Sequence, residues 1–179
     1  IEERGIWDCL YLFDRHEAMF KTVGIFENEI RRYLREEEAH VDLWFVIIPE
    51  EIYRFGRPKS VIPLDLKISS GLSVTEKWAR RLRQEPSFFT EHNEAAEIYK
   101  HEVHFHNQLK ARLLNSMAVL QVVRETSLTA DDFQVHGRSP RKVQDPATLA
   151  WNLTTTSFFK GSGRPWKLAD VRSGVCYVG

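Results

Sequence analysis

Leu43-Trp44-Phe45-Val46-Ile47-Ile48 is a continuous apolar run closed by Pro49. Its length and its β-branched and aromatic content predict a strand, and the lack of alternation predicts one buried on both faces. Such strands belong to parallel sheets covered by helices. Upstream, from about Glu17, the apolar residues Met19, Val23, Phe26, Ile30 and Tyr33 recur every three or four positions, and the charged run from Arg35 to Glu38 follows. That periodicity predicts an amphipathic helix leading into the strand. Further upstream, residues 6–13 read as another strand. Downstream, Ala118-Val119-Leu120-Gln121-Val122-Val123 predicts a strand interrupted by one polar residue.

Between these strands the pattern predicts a long excursion and a long helix. Gly56, Pro58, Pro63, Gly71 and Pro86 punctuate residues 56–90, with a short helix expected near 75–84. A second long helix is predicted over 91–116, with Ile98, Phe105, Leu109, Leu113 and Met117 as its buried stripe. Asp145-Pro146 suits an N-cap and a first-turn proline, opening a helix that ends near Lys160-Gly161. Strand and helix alternate, so the expected fold is α/β: a Rossmann-like three-layer sandwich with a central, mainly parallel sheet.

Composition bounds the function less tightly. The chain has 179 residues, 42% hydrophobic and 28% charged, enough for one domain with a real core. Its 25 basic and 25 acidic residues cancel, so any anion site must be built locally. Cys9 and Cys176 sit in apolar stretches near opposite ends and are expected to be buried free thiols of a reducing, cytoplasmic compartment. No apolar run approaches membrane-spanning length, and no membrane partner is expected. The chain opens at Ile1 and stops at Gly179 inside a strand-like run, so the natural protein is expected to continue past both ends.

Four residues stand out as a constellation. His106 and Lys110 are four apart and share one face of the predicted helix, at the edge of its apolar stripe. Gln121 interrupts the following strand, and Lys160 closes the last helix. Two ammonium groups, a directed amide donor and a flat imidazole suit a terminal phosphomonoester and the base beside it. Each residue alone has a plainer reading: a solvated helix edge, a strand-end glutamine, a lysine complementing a helix C-terminus.

Their order and spacing resemble the 5′-phosphate pocket of the middle (MID) domain of Argonaute proteins. There an aromatic or basic residue, a lysine four later, a glutamine in the next strand and a lysine ahead of a glycine-containing turn hold the guide end. Asn152-Leu153, and the segment from Lys160 through Gly161 and Gly163 to Pro165-Trp166, resemble the flanks of that pocket and the connector into a PIWI domain. The segments 42–53, 105–114 and 165–178 are most similar to the short prokaryotic type.

The resemblance implies a MID domain over 1–170 and the first strand of a PIWI domain over 171–179. The implied function is non-enzymatic binding of the 5′-phosphate end of a guide, expected to be RNA, through His106, Lys110, Gln121 and Lys160. Thr156 stands where many relatives carry a second lysine. That contact would fall to a hydroxyl, a magnesium ion at the phosphate or a missing part of the protein. Arg138, Arg141 and Lys142 are secondary candidates for backbone contacts. The implied partners are target single-stranded DNA and an APAZ-containing effector with a TIR, sirtuin-like or nuclease domain, serving prokaryotic immunity.

Two other patterns carry different chemistry. Asp65-Leu66-Lys67 matches the end of a metal-dependent nuclease motif, although Pro63 and the loop-like context lack the paired strand that motif needs. His101, His104 and His106 cluster without the spacing of a zinc-protease helix, so no metal is assigned to them.

Overall fold

The computed structural model describes residues 2–37, 40–72, 74–128, 145–161 and 163. Over these the chain is mixed α/β, with helices α1 (Glu3–Leu10), α2 (Arg15–Glu36), α3 (Glu50–Phe55), α4 (Glu76–Leu82), α5 (Thr90–Glu97), α6 (Phe105–Leu113) and α7 (Pro146–Lys160), and strands β1 (Trp44–Ile48) and β2 (Leu120–Arg124). The two strands pair in parallel, with Phe45 opposite Gln121 and Ile47 opposite Val123.

The core follows the periodicities read above. Asp14 caps α2 by accepting from the Glu17 N–H at 3.0 Å. Met19, Val23, Phe26 and Ile30 then form the buried stripe of α2, against Leu109 and Leu113 of α6 and against Val46, Ile48 and Leu120 of the sheet. Trp44 Nε1 is buried without a partner among the described residues.

Three expectations are corrected. Residues 6–13 are helical rather than extended as far as Leu10, because Ile6 and Leu10 lie four apart and are both buried on one helical face. Only Leu12 makes a strand-like bridge, with Ile68. The β1 run is not covered on both sides: Phe45 and Ile47 are 50% and 51% exposed, while Val46 and Ile48 face the core.

The helix expected over 91–116 is two helices. Tyr99 is fixed by its hydroxyl, shared between Asp14 Oδ2 at 2.8 Å and the Val74 carbonyl at 2.9 Å. The Phe105 N–H donates to the Gly56 carbonyl at 2.9 Å. Between these two anchors the chain turns extended, and His104 becomes the N-cap of α6, accepting from the Asn107 N–H at 3.3 Å. The buried Gln108 amide donates to the Glu102 carbonyl at 2.7 Å and secures the break. Phe105, Leu109 and Leu113 keep the expected buried stripe, but Met117 is 88% exposed with a left-handed φ of 54°.

The excursion 56–100 carries a small core of its own, formed by Val74, Ala79, Leu82, Ala96 and Tyr99. Ser70 Oγ donates to the buried carboxylate of Glu17 and, with Tyr99, ties this unit to α2. Gly56 is required where the excursion starts. A Cβ there would collide with the Ile52 carbonyl oxygen and stand 3.0 Å from Phe105 Cβ. α3 and α6 can approach only without it.

A charged clamp joins α2 to α6. Arg112 of α6 pairs with Glu27 of α2, whose other oxygen accepts from Arg31 Nε at 2.8 Å. Arg112 Nη1 also donates to the Phe20 carbonyl at 2.9 Å, and Arg31 Nη2 to the Arg112 carbonyl at 2.8 Å. The Arg112 and Glu27 side chains are only 16% and 11% exposed, so neither charge can recover its hydration if the other is lost. Arg31 still pairs with Glu27 when Arg112 is lost, so Arg112→Ala is expected to lower unfolding stability by about 1.5–3 kcal/mol, as for one charge-assisted contact, measured as a shift in the urea midpoint at unchanged slope.

Candidate functional site

A cavity of about 450 Å³ lies along β2, between α3 on one side and α7 on the other. Gln121, Val122, Val123 and Arg124 all line it. Successive side chains of a strand point to opposite faces, so a cavity touched by all four must run along the strand's edge. The Trp44 N–H donates to the Val119 carbonyl at 2.8 Å. Carbonyls alternate in direction along a strand, so those of Leu120 and Val122 face away from β1, towards the cavity.

Side chains satisfy both carbonyls. Lys160 Nζ donates to Leu120 O, and Gln121 Nε2 donates to Val122 O at 3.2 Å. An ammonium has three N–H groups and an amide two, so each keeps donors for a ligand after this bond.

The other site residues are placed by two helices. On α7, Leu149, Asn152, Leu153 and Thr156 line the cavity at helical spacing, and Lys160 lies one turn further along the same face. Asp145 starts this helix by accepting from the Thr148 N–H at 3.0 Å, as its Asp-Pro pair predicts. On α6, His106 lines the cavity directly. Lys110, one turn on, is exposed and lies outside the lining, but its charge reaches both His106 and Lys160.

The electrostatics record this convergence. Burial pushes the His106 imidazole below its ordinary value, and the charges of Lys110, His104 and Lys160 push it further. The Lys160 ammonium is lowered by burial and then by Lys110. Lys110 and Lys160 therefore stand close enough to His106 for their charges to disfavour its protonated form.

Thr156 lies within the cavity lining, whereas Arg138, Arg141 and Lys142, the connector 164–170 and the strand expected over 171–179 lie outside the described residues. So does Cys176; Cys9 is free and half-buried, with burial raising its thiol. Sequence reasoning missed Tyr53, Arg57 and Arg124, which also line the cavity. The signal available was the tyrosine–arginine pair four apart after Pro49.

A resident cation does not fit this donor set. No carboxylate appears in the lining, and no group of three or more His, Cys, Asp or Glu side chains among the described residues could hold a metal. Within the described lining a magnesium ion would find no anionic side-chain ligand and would rely on a bound phosphate for one. Asp65 and Lys67 lie apart from the cavity lining, Asp65 in a single 3-10 turn (Leu64–Leu66) and Lys67 with its ammonium 4.6 Å from the centre of the Phe13 ring. No helix among the described residues is long and apolar enough to cross a membrane.

A histidine whose folded pKa is depressed holds fewer protons in the folded chain than in the unfolded one. Its contribution to stability is present above the ordinary value of about 6.5 and is lost as pH falls through the folded value. His106 and His101 both have this sign. Thermal stability is expected to fall from pH 7 to pH 5, with a shallower slope in His106→Gln, as read by melting curves across that range.

The chain matches no protein-family model and no curated protein.

Proposed function

We propose that the cavity holds the 5′-phosphate end of a guide nucleic acid, expected to be RNA. The observation that carries this reading is the cationic cluster at the edge of β2. His106 on α6 and Gln121 on β2 line the cavity, Lys160 on α7 bonds to the Leu120 carbonyl beside them, and Lys110 on α6 acts on both His106 and Lys160 through its charge. They do so in a chain whose net charge is zero. Repulsion between the half-buried Lys160 ammonium and the exposed Lys110 is a cost in the free protein, and a dianionic phosphate relieves it.

The division of labour follows from the chemistry. Lys110 and Lys160 match the phosphate charge, the Gln121 amide directs one oxygen, and Thr156 can donate its hydroxyl. The His106 ring donates or stacks on the first base according to its protonation. No group in this set is needed to break a bond, so the reading is of a binding domain and not of an enzyme.

The resemblance supplies the wider setting of the proposal. The chain would be the MID domain of a short prokaryotic Argonaute, a Rossmann-like three-layer sandwich running to about residue 170 and followed by a PIWI domain. Its guide would recognise target single-stranded DNA, and an APAZ-containing effector would respond in prokaryotic defence.

The test compares 5′-phosphorylated and 5′-hydroxyl oligonucleotides of one sequence in a direct binding assay. A charge-assisted contact contributes about 1.5–3 kcal/mol. The phosphorylated form is expected to bind more tightly, and Lys110→Ala or Gln121→Ala to reduce that preference, the lysine variant by roughly ten-fold. Equal binding of the two oligonucleotides by the folded chain would overturn the reading.

A further inference from the structure

The excursion 56–100 displays a row of aromatic rings outside its own small core. Between ring centres, Trp78 on α4 lies 4.7 Å from His92 on α5, His92 lies 5.5 Å from Phe89, and Phe89 lies 6.0 Å from Phe88. Phe88 and Phe89 are 98% and 64% exposed, and Trp78 is also open to solvent. The backbone that carries the two phenylalanines is anchored to α5. Asn93 Oδ1 accepts from the Ser87 N–H at 2.9 Å, and Asn93 Nδ2 donates to the Ser87 carbonyl at 2.8 Å. The Phe89 N–H donates to Ser87 Oγ at 3.1 Å. Rings held in place before contact have little conformational freedom left to lose on binding.

The chemistry of the patch narrows its partner. Over residues 76–94 the aliphatic side chains Ala79 and Leu82 are buried, so the exposed apolar surface consists of rings and Pro86. Arg81 stands three residues after Trp78 and four after Lys77, which puts both cations on the side of α4 next to the ring row. Arg80 pairs with Glu76, whereas Lys77, Arg81 and Arg83 are exposed and have no ion pair among the described residues. Against these three cations the turn that joins the helices brings one acid, Glu85. Glu91 and Glu94 of α5 are turned about 100° and 160° away from His92 around the helix. Successive π faces beside unpaired cations suit stacked bases and their phosphates. A protein partner would be met by aliphatic packing, which this patch does not offer.

We propose that Trp78, Phe88, Phe89 and His92, with Lys77 and Arg81, form a surface that takes single-stranded nucleic acid along its length, by stacking and without reading sequence. None of these residues lines the cavity beside β2. The surface needs no strand end, so it stands or falls independently of the 5′-phosphate reading.

A circular oligothymidylate has no 5′ end to offer and therefore separates the two sites. The whole chain is expected to bind it in a fluorescence anisotropy titration at low salt, and to prefer it to a duplex hairpin of the same length. Phe88→Ala and Phe89→Ala should each weaken binding about ten-fold. Phe88→Tyr should keep the affinity and Phe88→Leu should lose it. Arg81→Ala should weaken binding and make it less dependent on salt. Both rings are exposed enough that melting curves should be unchanged in their variants. Failure to bind the circle, unchanged affinity when Phe88→Ala and Phe89→Ala are combined, or full binding by Phe88→Leu overturns the surface. Displacement of the circle by polyglutamate as readily as by linear oligothymidylate assigns the patch to an acidic protein segment and also overturns it.

Discussion

Arg112 leaves α6 and sets its guanidinium against Glu27 on α2, in a place where neither side chain keeps much contact with water. The same guanidinium reaches the Phe20 carbonyl, while Arg31 returns from α2 to the Arg112 carbonyl. These bonds fix the height of α6 along α2, and the apolar contacts of Phe26, Leu109 and Leu113 fill the space between them. Phe26 and Phe105 meet edge to face at 5.2 Å, locking the start of α6 as the clamp locks its end. Because α6 carries His106 and Lys110 and leads through a left-handed turn at Met117 into β2, the clamp determines where three of the four candidate residues stand.

α7 is held differently. None of its residues is buried, and its tie to the sheet runs through Lys160 and the Leu120 carbonyl. An ammonium engaged with a strand-edge carbonyl and repelled by a neighbouring lysine is poised for an anion: a phosphate adds a stronger partner without displacing the first. The site is thus made where a well-packed α2–α6–sheet core meets a lightly held helix. Trp151, Phe158 and Phe159 of α7 are between 54% and 68% exposed, consistent with a helix that contributes little to the core.

The sequence made the α2 stripe, β2, α7 and its Asp145 cap legible because each depends on local periodicity or capping chemistry. It failed where distant contacts override the local pattern. Residues 91–116 read as one helix, yet Tyr99 is claimed by Asp14 and Phe105 by Gly56, from partners 85 and 49 positions away in the chain. The segment 6–13 was ambiguous between periods, and burial of Ile6 and Leu10 decides for the helix. Of the candidate site, the lysine end was readable from order and spacing. Tyr53 and Arg57 are four apart and could have been noticed, but Arg124 joins them only through the parallel pairing of β1 with β2.

The central claim is that His106, Lys110 and Lys160 form one cationic field that a terminal phosphate satisfies. The most direct measurement is the pKa of His106, followed by NMR titration of its ring protons in the free chain and with a saturating 5′-phosphorylated oligonucleotide. The free value should lie below the ordinary histidine value of about 6.5, in keeping with its burial and cationic neighbours. It should rise when the phosphorylated strand binds and stay low with the 5′-hydroxyl strand. A His106 pKa that is ordinary in the free chain, or that the phosphorylated strand leaves unmoved, would contradict the account.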